Sequence, residues 1–214
     1  MVLPFAVLIS GRGSNMLALE QATRDGRIGG RIAAVISDRA DAAGLGAARE
    51  RRLPTEVVEP ARGESRDVYG RRLAAAVSAS GAGLVALAGF MRILDRGFVR
   101  AYEGRLLNIH PSLLPAFRGL HTHRRVLESR EAYHGCTVHF VVEELDAGPE
   151  VIQGRLAVRP GEDEPALSAR VQRLEHIIYP RAVGWFAAGR LACRDGRAWI
   201  DGQPAGPAIV EEDA

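Results

Sequence analysis

Residues 106–110 read LLNIH, a buried strand interrupted by two polar side chains. Residues two apart on a β-strand share a face, so Asn108 and His110 point one way while Leu107 and Ile109 point the other. Asn108 offers an amide N–H donor, and His110 offers a proton that exchanges near neutral pH. Together they suit a carbonyl oxygen that gains negative charge as a nucleophile adds to its carbon. A satisfied buried Asn–His pair would use the same residue types. The strand alone does not separate the two readings.

Other residues with chemical content lie on either side. GRGSN (11–15) sits between a strand-like run and a helix-like segment. Gly11 and Gly13 permit a tight turn, Ser14 or Asn15 can cap the helix, and the exposed amides with the helix dipole favour an anion such as phosphate. A dinucleotide fingerprint would need a third glycine where Met16 stands, although Asp38 partly matches a ribose-binding acid. In ELDAGP (144–149), Asp146 is either a turn former or the carboxylate that orients a catalytic histidine. Five of the six histidines (110, 121, 123, 134 and 139) fall close together, yet no metal-ligand spacing appears, so no metal is expected. GLHTH reads as a loop with a cap around Thr122. Arg92, at the end of the fourth strand-like run, is the better candidate for an acidic ligand group, with Arg66 the alternative.

The elements that must position these groups follow from periodicity. Apolar runs at 5–10, 31–37, 55–59, 83–90 and 106–110 alternate with helical patterns at 15–25, 42–52 and 65–80. The third pattern takes its apolar face from Val68, Leu73, Ala76 and Val77. The alternation predicts an α/β fold, a doubly wound, mostly parallel sheet flanked by helices. Right-handed crossovers give the first four strands the order 3-2-1-4, with ligands bound outside the carboxyl ends where the order reverses. GRGSN, GFMRI (89–93) and NIHP all fall at that crevice. Strands at 136–142 and 151–158 are close enough to pair antiparallel, and a helix from about Pro165 to Gly189 carries a kink at Pro180. ACRDGRAWIDG forms a hairpin, and residues 204–214 are expected to fray.

Composition bounds the rest. The chain has 214 residues and is read as one domain, with an N-terminal lobe (about 1–100) for the phosphate and a C-terminal lobe (about 101–202) for catalysis. A formal net charge of +2 predicts no nucleic-acid footprint and no membrane surface. No apolar run reaches bilayer length and no basic leader precedes the first strand, so a cytoplasmic location is expected, with Cys136 and Cys193 as free thiols. The chain contains no lysine, which excludes a Schiff-base nucleophile and a P-loop lysine.

LISGRGSN, LAGFMRIL, LLNIHPSLLPAFRGLHTH, HGCTVHFVVEELDAGP and RVQRLEHIIYPRAVGWFAAGRL resemble the phosphoribosylglycinamide formyltransferases, a family of folate-dependent formyltransferases. The resemblance runs from about residue 5 to 202. NIHPSLLP is also similar to methionyl-tRNA formyltransferase and formyltetrahydrofolate deformylase, whose extra domains this length is expected not to accommodate. The resemblance implies transfer of a formyl group from 10-formyltetrahydrofolate, as co-substrate and without metal, to the amine of glycinamide ribonucleotide. It assigns catalysis to Asn108, His110 and Asp146, and the ribonucleotide to Gly13, Ser14, Asn15, Gln172 and Glu175. It assigns the folate to Arg66, Met91, Arg92, Ile93, Leu94 and Asn108, and suggests a cis Leu114–Pro115 bond. It further implies small-molecule partners only and leaves a homodimer open. A nicotinamide-dependent oxidoreductase and a non-catalytic phosphoribosyl-binding module are the alternatives.

Overall fold

A computed structural model describes residues 2–204 and 208–212. β1 (Leu3–Ile9), β2 (Gly30–Ser37), β3 (Thr55–Val57) and β4 (Leu84–Leu87) alternate with α1 (Ser14–Arg24), α2 (Ala43–Glu50) and α3 (Arg66–Ala79). After β4 come α4 (Arg96–Ala101), β5 (Leu106–His110), α5 (Thr122–Ser129), β6 (Tyr133–Phe140), β7 (Glu150–Ala157) and α6 (Glu164–Ala187). β8 (Leu191–Arg194), β9 (Arg197–Ile200), β10 (Gln203–Pro204) and β11 (Ala208–Glu211) complete the described chain. The main sheet has the order β11-β7-β6-β5-β4-β1-β2-β3, and β10-β9-β8 form a small second sheet.

The first four strands take the order that right-handed crossovers dictate, all parallel. β5 extends the parallel set beside β4, while β6 pairs antiparallel with both β5 and β7. Strand β1 is buried on both faces, as a central parallel strand must be. Its odd residues Phe5, Val7 and Ile9 join the core beneath α1 and α6, while Ala6 and Leu8 join the core beneath α3 and α4. Tyr179, fully buried on α6, brings its hydroxyl within 2.9 Å of Leu87 O and 3.1 Å of Leu107 O. That contact ties α6 to the two strands whose ends carry the chemistry. One helix runs through Pro180, whose ring removes the bond to the His176 carbonyl.

Three details depart from the sequence pattern. Ala208–Glu211 is not frayed: it pairs parallel with β7 at the sheet edge, and the tail from 203 is ordered wherever it is described. The buried face of α3 uses Tyr69 and Gly70 with Leu73, Ala76 and Val77, whereas Val68 is 38% exposed. Tyr69 presents a larger apolar surface one residue further round the helix and takes the core position. Helix α4 has no counterpart in the sequence reading. It starts because the Asp95 carboxylate accepts from Gly97 N–H at 2.7 Å and Phe98 N–H at 3.2 Å.

Candidate active site

The proposed catalytic groups converge from three segments. Asn108 and His110 leave the same face of β5, opposite His139 and Thr137 of β6. Asp146 reaches back from the turn between β6 and β7, and its Oδ2 lies 3.4 Å from His110 Nδ1. Both side chains are under one-tenth exposed. Asp146 has φ +50°, in the left-handed region that a non-glycine residue adopts sparingly. Such strain persists where surrounding contacts over-determine it; here Asp146 Oδ2 also accepts from Gly119 N–H at 2.9 Å.

His139 completes the constellation. Its Nδ1 lies 2.9 Å from Phe140 O, which only accepts, so Nδ1 carries the hydrogen. Burial, the largest influence, pushes the ring down to about 4, so it is neutral near pH 7 and its Nε2 presents a lone pair. Asn108 Nδ2, 3.1 Å away, therefore donates to Nε2. This fixes the Asn108 amide with its NH2 group toward His139, and the second N–H of that group remains for a substrate oxygen. His139 was legible only as one histidine among several, because its role depends on the register Asn108↔His139 across an antiparallel pair.

The loop between β5 and α5 folds over His110. Its Leu114–Pro115 peptide is cis, and Phe117 and His121 both adopt positive φ. His110 Nε2 lies 3.1 Å from Phe117 O and so donates to it. A substrate oxygen approaching Nε2 must displace that carbonyl. His121, not Thr122, stands at the N-cap of α5, and no side chain caps it; Thr122 is buried as the first helical residue. His123 Nδ1 and His134 Nε2 are 2.9 Å apart, and burial pushes His134 down to about 3. Among the described residues, no three His, Cys, Asp or Glu side chains converge as a metal site.

GRGSN forms the turn into α1, but neither polar residue caps it. Gly13 is the N-cap, in the left-handed conformation (φ 77°), and Ser14 and Asn15 already belong to the helix. Their side chains serve α6 instead. Gln172 Nε2 donates to Ser14 Oγ at 3.0 Å, and Asn15 Nδ2 donates to Glu175 Oε2 at 2.8 Å. Four of the five side chains or turns assigned to the ribonucleotide are thus paired across the first turn of α1, beside Gly13. A Cβ on Gly13 would stand 2.9 Å from Gly44 Cα of α2, so glycine is required by contact as well as by φ. Glu175 is 8% exposed, and burial raises its carboxyl to about 7.

Of the folate set, Arg66, Ile93 and Leu94 line one cavity of 530 Å3 together with Asp67, Asp95, Arg96 and Glu143. Met91 and Arg92 are not among its lining residues. Arg92 is not a free cation: its Nε donates to Asp38 Oδ2 at 2.8 Å, which also removes Asp38 from the role of ribose acid. The two side chains meet because β1 alone separates the ends of β2 and β4. Arg66 makes no ion pair among the described residues and is the available cation on this side.

The mostly parallel sheet brings a glycine turn, an amide and a histidine to the same edge. Residues 3–183 match the formyl transferase family, and the chain belongs to that family. It is 48% identical over 201 residues to the phosphoribosylglycinamide formyltransferase of Escherichia coli (strain K12), covering 94% of this chain and 95% of that protein. The structure of the phosphoribosylglycinamide formyltransferase from Coxiella burnetii superimposes with a TM-score of 0.93 at 43% identity, covering 98% of this chain and 99% of the other. The human trifunctional purine biosynthetic protein adenosine-3 is 42% identical over 184 residues, 86% of this chain but 18% of that protein.

Proposed function

We propose that the chain is a phosphoribosylglycinamide formyltransferase. It moves the formyl group of 10-formyltetrahydrofolate to the amine of 5-phosphoribosylglycinamide, giving formylglycinamide ribonucleotide and tetrahydrofolate in purine synthesis. The observation that carries this reading is the Asn108–His110–Asp146 cluster, at the same edge of the sheet as the glycine turn, in a chain similar over 94% of its length to the E. coli enzyme.

The neutral substrate amine attacks the formyl carbon, and the carbonyl oxygen becomes an oxyanion. Asn108, oriented by neutral His139, donates its free amide N–H to that oxygen. His110, as imidazolium, supplies the second donor and a compensating charge, and Asp146 holds the ring. Collapse of the tetrahedral intermediate breaks the bond to the folate nitrogen, which takes the proton shed by the new ammonium. Every group needed is a side chain of this chain, and no metal enters the scheme.

For binding, Gly13, Ser14 and Asn15 receive the phosphate through backbone amides at the start of α1, while Gln172 and Glu175 take the rest of the ribonucleotide. Arg66 takes the folate carboxylate, with Ile93 and Leu94 lining its path. Met91, Arg92 and Asn108 complete the folate set. The chain works as one domain on two small molecules, in the cytoplasm, where the free thiols of Cys136 and Cys193 remain reduced. Among the described residues no helix is long and apolar enough to cross a membrane.

A spectrophotometric assay with glycinamide ribonucleotide and a 10-formyl folate analogue tests the reading. Absorbance should change only when both substrates are present. Tight NAD(P) binding without formyl transfer would favour an oxidoreductase, and ligand binding without turnover a binding module.

A further inference from the structure

The mouth of the crevice holds a polar cluster that the formyl chemistry does not use. β4 ends at Leu87, and residues 88–95 run without helix or strand until Asp95 caps α4. Ala88, Phe90 and Leu94 of this segment pack against the cores, while Met91 is 69% and Ile93 56% exposed. Polar contacts fix the exposed part. Ser10 N–H donates to Gly89 O at 3.2 Å, Met91 N–H donates to Ser10 Oγ at 2.8 Å, and Arg92 Nε donates to Asp38 Oδ2 at 2.8 Å. The first two anchors come from the end of β1. The third reaches across from the end of β2.

That third anchor is built unlike an ordinary surface ion pair. Asp38 is 4% exposed while the Arg92 side chain is 45% exposed. A carboxylate removed from water needs both charge compensation and hydrogen bonds. Arg92 supplies one N–H, and both of its Nη groups remain unbonded among the described residues. Asp38 Oδ1 is buried without a partner, and so is Tyr69 Oη on α3. Tyr69 belongs to the same cluster: burial first, then the charge of Asp38, pushes its phenol up to about 12. An under-satisfied buried carboxylate lowers stability. Its one strong contact is to the segment that faces the crevice.

We propose that Asp38 is a positioning residue for the formyl donor: its carboxylate fixes the Arg92 guanidinium and, through it, the course of residues 91–94, so that this segment is preformed for the folate. Holding Arg92 by Nε alone leaves the Nη donors for a carbonyl or carboxylate oxygen of the bound folate. The role rests on the assignment of Met91, Arg92, Ile93 and Leu94 to the folate.

Steady-state kinetics for both substrates, with a melting curve for each protein, test it in wild type, Asp38→Ala, Asp38→Asn, Arg92→Ala and the Asp38→Ala/Arg92→Ala double variant. Asp38→Ala should raise KM for the formyl folate about tenfold, with KM for the ribonucleotide and kcat within about twofold. Asp38→Asn retains an oxygen that accepts from Arg92 Nε, so its folate KM should return to within about threefold of wild type. Arg92→Ala should raise the folate KM at least as much as Asp38→Ala, and the double variant should be no worse than Arg92→Ala alone, because Asp38 acts only through Arg92. An unchanged folate KM in Asp38→Ala, a parallel rise of both KM values with a lowered Tm, no recovery in Asp38→Asn, or multiplying effects in the double variant would each overturn the role. If wild type transfers formyl from folate and these patterns fail, the positioning role alone falls. If wild type does not transfer formyl from folate, the folate assignment falls and takes the role with it.

Discussion

Glu175→Gln should make the protein more stable and a worse enzyme at the same time. The carboxyl sits on α6 at 8% exposure, accepts from Asn15 Nδ2, and is raised by burial from 4.5 to about 7. Each tenfold change in proton affinity corresponds to about 1.4 kcal/mol, so the ionised side chain destabilises the fold by roughly 3 kcal/mol at pH 8. The folded value lies above the unfolded one. Its favourable contribution is therefore complete below about pH 4.5 and is lost as pH rises through about 7. The substituted amide carries no charge. Its N–H donors also have an acceptor nearby, since Asn15 Oδ1 is buried without a partner. Urea unfolding of both proteins at pH 5 and pH 8 reads the difference directly. The variant should gain roughly 2–3 kcal/mol over wild type at pH 8 and little at pH 5. KM for the ribonucleotide should rise about tenfold at pH 8, because the ionised carboxylate accepts hydrogen bonds that an amide meets with its own donors. In wild type that KM should rise as pH falls below about 7. A stability difference that is the same at both pH values would refute the reasoning.

Other substitutions probe the remaining groups. Asn108→Ala should lower turnover by roughly two to three orders of magnitude with much smaller changes in KM, as loss of one oxyanion donor does; a loss under about tenfold in single-turnover kinetics would exclude that role. His139→Phe removes the acceptor that orients Asn108, so turnover should fall at least about tenfold. The shape of its pH–rate profile above pH 5 should match wild type, because His139 is already neutral there; a lost limb in that profile would show that His139 titrates during catalysis. Gly13→Val meets Gly44 Cα and a left-handed backbone. It should raise KM for the ribonucleotide far more than for the folate, and equal effects on the two would contradict the phosphate assignment. Asp146→Asn keeps the shape but removes the charge facing His110 Nδ1; turnover should fall by about a hundredfold or more with the melting temperature little changed, and near-normal turnover would remove Asp146 from catalysis.

Much of the fold and of the placement of these side chains was legible in the sequence, for identifiable reasons. The alternation of apolar runs with helical patterns and the handedness of crossovers specify the order of the first four strands, and the order brings GRGSN, GFMRI and NIHP to one edge. Period-two spacing alone puts Asn108 and His110 on one face. What stayed hidden depends on partners far away in sequence. Ser14 and Asn15 look like caps, yet Gln172 and Glu175, 158 and 160 residues away, claim them. Arg92 looks like a free cation because Asp38, 54 residues earlier, shows no sign of facing it. His139 acquires its role from an antiparallel register. Helix α4 is too short to display a 3.6-residue period, and its one local sign is Asp95 ahead of two amides. AIVE after a Gly-Pro pair reads as a loose end until the open edge of β7 is there to receive it.

The most direct test follows the formyl carbon itself. Protein is mixed with 10-formyltetrahydrofolate carrying an isotopic label in the formyl group and with glycinamide ribonucleotide, and the products are separated by mass. The account predicts that label leaves the folate only when the ribonucleotide is present and appears on its amine, one label for each tetrahydrofolate released. Label released as free formate, at the same rate with or without the ribonucleotide, would contradict it and make the chain a hydrolase of formyl folate.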